Sequence, residues 1–323
     1  MVSGNKNIIF IILFFTIVVG FSLAVKINRQ QSNSQNIKSD LTSIPKVEIP
    51  QHPDPVFFED QTKASTTKVA AITDKPKPTG IPGITASAYI VGNIKTGKIY
   101  LEKNIKKVMP VASMSKLVTA FVATDVFPAT STIVITEQSL LAPPDGSNLT
   151  VGEQFTLKDI LQPLLLSSSN IAAEAISSST DQKIFMELMR SYAWEVGMPH
   201  SFFADPSGVS PQNVASAEDL FGLAKYLMYY RPDILTITRV PYIYISTTTE
   251  HGSHKVVSTH PFVNDPRFVG GKTGRTEEAG ETMMTILTIS GQPIAFVILG
   301  ARYGAREGDT RILLNKAQNI ITQ

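Results

Sequence analysis

Pro110-Val-Ala-Ser113-Met-Ser-Lys116-Leu-Val-Thr119 is the stretch on which the reading of this chain turns. Ser113 opens a helix expected to reach about Asp125. Met114, Leu117, Val118, Phe121 and Val122 recur at i, i+3, i+4, i+7 and i+8 and form its apolar stripe. Lys116 lies three residues after Ser113, on the same face one turn away. A lysine directed inward beside an apolar stripe is costly unless it is used. To act as a base it must be neutral, against a reference pKa of about 10.4. Burial and a neighbouring cation both push it down, and Lys272 is the candidate cation. Neutral Lys116 would then take the Ser113 proton as the hydroxyl attacks a carbonyl, and the helix dipole would favour the developing anion. The plainer reading of Ser113 is an ordinary helix cap.

Two further motifs follow in order, Ser168-Ser-Asn170 and Lys272-Thr273-Gly274. Ser168 is expected to relay a proton between Lys116 and a leaving group, and Asn170 to bond Lys116 and a substrate amide. The plainer reading is a helix end followed by a new cap. Gly270-Gly-Lys-Thr-Gly-Arg275-Thr reads as a strand with glycines that let a ligand backbone approach closely. Lys272 and Thr273 suit a substrate carboxylate. The N–H groups of Ser113 and Arg275 suit an oxyanion hole. A phosphate loop is excluded, because that motif needs G-x-x-x-x-G-K-[ST] ahead of a helix.

Context selects these matches over their repeats. S-x-x-K also occurs at Ser3, Ser43 and Ser65, and S-x-N at Ser3 and Ser34. Those positions lie in a terminus or in a polar, proline-dotted stretch that cannot build a pocket. The second K-T-G, at Lys95, sits between two alternating runs and reads as a hairpin turn with Gly97 at positive φ.

The chain has 323 residues, 43% hydrophobic and 17% charged, with a net charge of +2 and no cysteine. A large core is affordable, a nucleic-acid role has no electrostatic support, and disulfides, thiol nucleophiles and thiolate metal sites are excluded. Ile8–Val25 is an uncharged apolar run long enough to approach the ~30 Å hydrocarbon core. Residues 1–25 are therefore expected to anchor the chain in a membrane, uncleaved, although Ser22-Leu-Ala resembles a cleavage site. Lys26, Arg29 and Lys38 follow the span, which by the positive-inside rule argues for a cytoplasmic C-terminal part. The chemistry overrules this and places the folded part outside the cytoplasm. Residues 26–80 read as a disordered tether, and 81–323 as the catalytic domain.

Within that domain strands are expected at 85–93, 98–103, 133–135, 242–247, 281–290 and 293–300, with Gly291-Gln292 as a two-residue loop. Helices are expected from Thr156 to Leu166 with a kink at Pro163, at 170–179 and 181–196, from a Ser216 cap to Met228, and at 307–321. Strands at both ends with helices between give an α+β fold, an antiparallel sheet with an inserted helical lobe. His251 and His254 lack a third ligand, so neither metal nor cofactor is expected. Asp205, Glu218 and Asp219 read as turn and cap residues, and Trp194 as core.

The order S-x-x-K, S-x-N, K-T-G, with Lys95-Thr-Gly-Lys-Ile-Tyr-Leu-Glu-Lys-Asn, Phe203-Ala-Asp-Pro-Ser-Gly-Val-Ser-Pro and Lys272-Thr-Gly-Arg-Thr-Glu-Glu-Ala-Gly, resembles the D-alanyl-D-alanine carboxypeptidases, the low-molecular-mass penicillin-binding proteins. The resemblance runs from about Ala86 to the C-terminal helix. It implies a penicilloyl-serine-transferase fold, a location in the cell envelope, peptidoglycan stem peptides as substrate and β-lactams as covalent inhibitors. It also implies that Arg302 lies near the substrate's terminal carboxylate. Departures are Ile171, where many members have aspartate, and Asn213, where many carboxypeptidases have histidine. The wording Pro-Ser-Gly-Val-Ser-Pro is closer to the endopeptidase branch. Carboxypeptidase is the leading reading. The alternatives are a DD-endopeptidase, a β-lactamase, which the lack of an E-x-x-L-N segment disfavours, and a non-catalytic wall-binding protein.

Overall fold

The computed structural model describes residues 80–322. The anchor and tether expected over residues 1–25 and 26–80 lie outside the described residues, apart from Gly80. Among the described residues no helix is long and apolar enough to cross a membrane.

Strands β1 (Ala88–Asn93) and β2 (Ile99–Lys103) form the expected hairpin. Its turn is the second K-T-G: Asn93 Oδ1 accepts from the N–H groups of Lys95 at 2.8 Å and Thr96 at 3.0 Å, and Gly97 has φ +74°. A two-residue strand β3 (Met109–Pro110) leads through a 3₁₀ turn (Ala112–Met114) into helix α1 (Ser115–Val126). Ser113 thus lies in the 3₁₀ turn and does not cap the α-helix.

The helical lobe follows. Short strands β4 (Thr132–Val134) and β5 (Gln154–Thr156) pair, and the second of these was not expected. Thr156 caps helix α2 (Leu157–Gln162), accepting from Asp159 N. Pro163 does more than kink this helix. Proline lacks the N–H that continues the ladder, and residues Pro163–Ser167 widen into a π-helical turn. Helices α3 (Asn170–Ser178) and α4 (Gln182–Glu195) are capped by Ser169 and Asp181. Strand β6 (Val214–Ala215) pairs with β3, and a Ser216–Asp219 capping box opens α5 (Ala217–Tyr230). Helix α6 (Pro232–Thr238) follows, then a hairpin of β7 (Tyr242–Ile245) and β8 (His254–Val257).

The chain then returns to the sheet as β9 (Phe268–Thr276), β10 (Gly280–Ile289) and β11 (Gln292–Ala301). The sheet order is β2-β1-β11-β10-β9, antiparallel throughout. The β10–β11 loop is Ser290-Gly291, not Gly291-Gln292, because Ile289 pairs with Gln292. Ser290 and Gly291 have φ +49° and +72°, the two positive values a type I′ turn requires. Helix α7 (Arg306–Ile321) closes the fold.

Alternation along the strands feeds two cores. Ile90, Met284, Ala295 and Val297 face the helical lobe, and Tyr89, Val91, Met283, Phe296 and Ile298 face Leu313, Leu314 and Ala317 of α7. Burying each such large side chain contributes about 1.5–3 kcal/mol. Buried Asp309 ties α7 to the entry of β1, accepting from Thr85 N, Thr85 Oγ1 at 2.9 Å and Ala86 N at 2.8 Å. Trp194, expected in the core, is 51% exposed, because α4 turns that side outward from its apolar stripe.

Candidate active site

The three motifs converge between the helical lobe and β9. Ser113 projects from the 3₁₀ turn, whose first residue, Ala112, is held at φ +49°. Loop 204–210 is packed against this turn so closely that a β-carbon on Gly208 would fall 2.0 Å from the Ala112 carbonyl oxygen. Asp205 shapes that loop by accepting from the N–H groups of Ser207, Gly208 and Ser210. Buried Asn213 pins it to α1, giving one amide hydrogen to Ser115 Oγ at 2.9 Å and the other to the Asp205 carbonyl at 2.7 Å.

Lys116 is fully buried. Its Nζ lies 2.9 Å from Ser113 Oγ, 2.7 Å from Asn170 Oδ1 and 2.6 Å from the Ser207 carbonyl oxygen. Burial lowers its pKa to about 7, against the opposing pull of Asp205, Asp145 and Glu174. Of the two expected causes, burial is the one that lowers it, and the charges that act on Lys116 are those of acids. A neutral amine has two N–H donors and one lone pair. Asn170 Oδ1 and the Ser207 carbonyl can only accept, so they take both N–H groups. In that neutral form the lone pair is left for the Ser113 hydroxyl to donate to, whereas the ammonium itself donates to Ser113 Oγ.

Lys272 is also buried. Its Nζ donates to Ser168 Oγ and to the Thr273 carbonyl oxygen, both at 2.8 Å. Ser168 therefore bonds the strand lysine, where the sequence suggested a relay from Lys116. Ser168 adopts the left-handed conformation, φ +65°, which turns the chain between the π-helical turn and α3. Burial first, then the positive charges of Lys116 and Arg306, hold Lys272 well below the ordinary lysine range. Thr273 Oγ1 shares a 2.8 Å bond with Thr259 Oγ1.

The glycines of β9 admit the protein itself, where the sequence suggested a ligand backbone. A β-carbon on Gly270 would meet Thr238 and Leu235 of α6, and one on Gly271 would meet the Met284 carbonyl at 2.2 Å. At Gly274 it would fall 2.5 Å from Thr282 Oγ1 and 2.9 Å from both Ser113 N and the Val111 carbonyl. Only glycine brings this strand against the Ser113 turn, which places Arg275 next in line beside it. The Arg275 guanidinium lies over the Tyr303 ring, 5.0 Å from its centroid.

Arg302 is exposed, and its N–H bonds Thr85 Oγ1 at 3.0 Å. Arg306, four residues later in the same Gly-Ala-Arg-Tyr-Gly-Ala-Arg run, is the arginine bonded to β9: Nη1 donates to the Gly274 carbonyl at 3.1 Å. Sequence reasoning missed it, along with Asp145 and His260. Buried His260 donates Nε2–H to the Met284 carbonyl at 3.0 Å and accepts at Nδ1 from Phe262 N. Burial lowers its pKa to about 3, so it stays uncharged behind Lys272. His254 bonds Glu153 at 2.7 Å, and His251 stacks on Phe155. These contacts hold the β7–β8 hairpin to β5.

The sequence profile of the D-alanyl-D-alanine carboxypeptidase peptidases matches residues 73–303. The chain belongs to this family. Among its relatives, the D-alanyl-D-alanine endopeptidase of Pseudomonas aeruginosa is 28% identical over 252 residues, 73% of this chain and 79% of the relative. A D-alanyl-D-alanine carboxypeptidase of Bacillus subtilis, DacF, is 29% identical over 197 residues, 57% of this chain and 49% of that protein. Among solved structures, penicillin-binding protein D2 from Listeria monocytogenes in its ampicillin-bound form is 27% identical, with a TM-score of 0.65 over 73% of this chain and 98% of that one. A D-alanyl-D-alanine carboxypeptidase from Mycobacterium tuberculosis shares the fold, with 23% identity and a TM-score of 0.67 over 77% of this chain and 96% of that one. As a member of this family the chain is a serine peptidase hydrolase of the D-Ala-D-Ala carboxypeptidase class, built on the α+β fold of the penicillin-binding proteins.

Proposed function

We propose that Ser113 is the nucleophile and Lys116 its base in hydrolysis of D-Ala-D-Ala bonds in peptidoglycan stem peptides. The carrying observation is the buried Lys116 Nζ, 2.9 Å from Ser113 Oγ with both of its N–H groups accounted for. Ser113 Oγ attacks the carbonyl of the penultimate D-alanine while its proton passes to Lys116. The N–H groups of Ser113 and Arg275 receive the oxyanion. Lys272, Ser168 and Thr273 face the leaving group and its carboxylate, with Arg302 further out. As the C–N bond breaks, the departing D-alanine amine takes a proton. Water then attacks the Ser113 ester and releases the shortened peptide. No step calls for a metal or a cofactor.

β-Lactams present a strained amide in place of the D-Ala-D-Ala bond and are proposed to acylate Ser113, as the ampicillin-bound form of the Listeria relative supports. Labelling with a fluorescent penicillin tests the reading. A stable label on the wild-type chain that disappears in Ser113→Ala is expected. A folded wild-type chain without label refutes it in favour of a non-catalytic wall-binding protein, and rapid turnover of the label refutes it in favour of a β-lactamase.

Cleavage of cross-links is a second reading, favoured by relatives named endopeptidases, from Pseudomonas aeruginosa, Escherichia coli and Haemophilus influenzae. Digestion of purified monomeric pentapeptide and cross-linked dimeric muropeptides, followed by mass analysis, separates the two. Loss of terminal D-alanine from the monomer alone supports the carboxypeptidase, and conversion of dimers to monomers supports the endopeptidase.

The Ile8–Val25 run supports an envelope location, with the catalytic domain tethered outside the cytoplasmic membrane. Protease added to intact spheroplasts is expected to remove the catalytic domain. Protection until lysis would place it in the cytoplasm.

A further inference from the structure

Loop 143–147 lies outside all three motifs, yet it meets the second of them at Ser169 Oγ, Asn170 N and Asn170 Nδ2. Asp145 carries one oxygen to Ser147 N at 2.8 Å. Its other oxygen accepts from Ser169 Oγ at 2.8 Å, from Ile171 N at 3.0 Å and from Asn170 N. The carboxylate thus takes the first backbone donors of α3, which no helix of its own can satisfy. Burial alone would raise this carboxyl. Hydrogen bonds from Ser147, Ile171 and Ser169 outweigh it and hold the pKa below the usual carboxylate range. Two residues before Asp145, the Pro143 carbonyl accepts from Asn170 Nδ2 at 3.0 Å.

That last bond fixes which way the Asn170 amide points. With Nδ2 on Pro143, Oδ1 must face Lys116, where it lies 2.7 Å from Nζ. Turned over, the amide would offer N–H to Lys116 and occupy the lone pair that Ser113 needs. Pro143 and Pro144 are exposed, and the Asp145 bonds, with a 3.0 Å bond from Ser169 Oγ to Ser147 Oγ, fasten this stretch to α3. We propose that Asp145 is a positioning residue for acylation: it holds loop 143–147 on the start of α3, and so keeps Asn170 Oδ1 on Lys116 and the lysine lone pair on Ser113. The proposal rests on Ser113 and Lys116 acting as nucleophile and base.

The test is the acylation rate of the full chain by a fluorescent penicillin in wild type, Asp145→Ala, Asp145→Asn, Asn170→Ala and the Asp145→Ala/Asn170→Ala double variant, with thermal unfolding of each. The acylation rate is expected to fall about 10²-fold in Asp145→Ala, as misplacement of a reacting group by about 1 Å can do. Apparent affinity for the penicillin should stay within about twofold, since Asp145 acts through another residue. The double variant should be no slower than Asn170→Ala alone, because both substitutions break one chain of contacts. Removing a negative charge that favours protonated Lys116 should also move the acid limb of the pH–rate profile to lower pH. Asp145→Asn preserves volume and is read in the same way if the alanine variant unfolds. A folded variant with the wild-type rate overturns the proposal. So does a loss fully accounted for by unfolded protein, or additive losses in the double variant. An unlabelled wild-type chain would instead overturn the reading of Ser113 itself, and this proposal with it.

Discussion

Lys116 and Lys272 are both sealed from solvent, and each holds a different serine: Lys116 Nζ lies 2.9 Å from Ser113 Oγ, and Lys272 Nζ lies 2.8 Å from Ser168 Oγ. The positive charge of one disfavours the other, and Lys116 is the first charge after burial that depresses Lys272. On the function proposed above the two divide the labour. Lys116, lowered by burial to about 7, is the proposed base. Lys272 is the proposed partner of the substrate carboxylate, whose negative charge and a neutral Lys116 would both favour its charged form.

The acylation rate should therefore depend on pH through Lys116. The neutral amine is the reactive form, so the rate rises as pH passes about 7. One unit below that value only about a tenth of the amine is neutral, and the rate should fall about tenfold. Stopped-flow acylation between pH 5 and 8 gives the limb directly. A flat profile across this range would contradict a lysine base.

Replacing Lys116 by alanine should cost about 10²–10⁴-fold in acylation rate, the usual range for loss of a general base. Stability should also fall, by about 1–3 kcal/mol, because the Asn170 Oδ1 and Ser207 carbonyl acceptors lose their partner. Single-turnover labelling with parallel circular dichroism is the check.

Gly274→Ala should harm both fold and rate. The added methyl would sit 2.5 Å from Thr282 Oγ1 and 2.9 Å from Ser113 N. Overpacking of this kind costs about 1–3 kcal/mol, and pushing the Ser113 turn aside should slow acylation by about 10². Gly308→Ala is the contrast. This residue lies in α7 with no atom within 4 Å of an added β-carbon. The substitution should stabilise by up to about 1 kcal/mol. Chemical denaturation of both variants measures the difference.

Asp309→Ala should loosen the closure of the sheet. It removes the acceptor for Thr85 N, Thr85 Oγ1 and Ala86 N. Ala86 N is left buried without a partner, at about 1–3 kcal/mol, while half-buried Thr85 can turn to water, so a loss of about 1–3 kcal/mol is expected in urea unfolding. Acylation by penicillin in the fraction that remains folded should change little, because Asp309 touches none of the three motifs.

The two arginines at the end of β11 should behave differently. Arg306→Ala removes the bond to the Gly274 carbonyl and should slow acylation by every substrate. Arg302 lies exposed, and Arg302→Ala should act only through substrates that bear a free terminal carboxylate. Comparing a D-Ala-D-Ala peptide with its C-terminal amide in both variants distinguishes the two effects.

Much of the fold was legible locally. The stripe through Met114, Leu117 and Phe121, the caps at Thr156 and Ser216, and the turn at Lys95-Thr-Gly97 each depend on neighbours within a few residues, and the structure shows all of them. The π-helical turn after Pro163 and the Ser290-Gly291 turn were misjudged by a residue or a register, where backbone geometry rather than pattern decides. Strands β3, β5, β6 and β8 went unseen, each of four residues or fewer; β4 and β7 are as short but were legible through runs of β-branched and aromatic residues.

By itself the sequence determined the chemical groups at this site and their order along the chain, because hydroxyl, amine and amide are written into residue type. Only the tertiary structure decided their states. Packing removes water from Lys116 and lowers its pKa to about 7, and Asn170 Oδ1 and the Ser207 carbonyl, 54 and 91 residues away, leave Ser113 Oγ as its remaining partner. Desolvation and hydrogen-bond direction are properties of surroundings assembled from distant segments, and no local pattern encodes them.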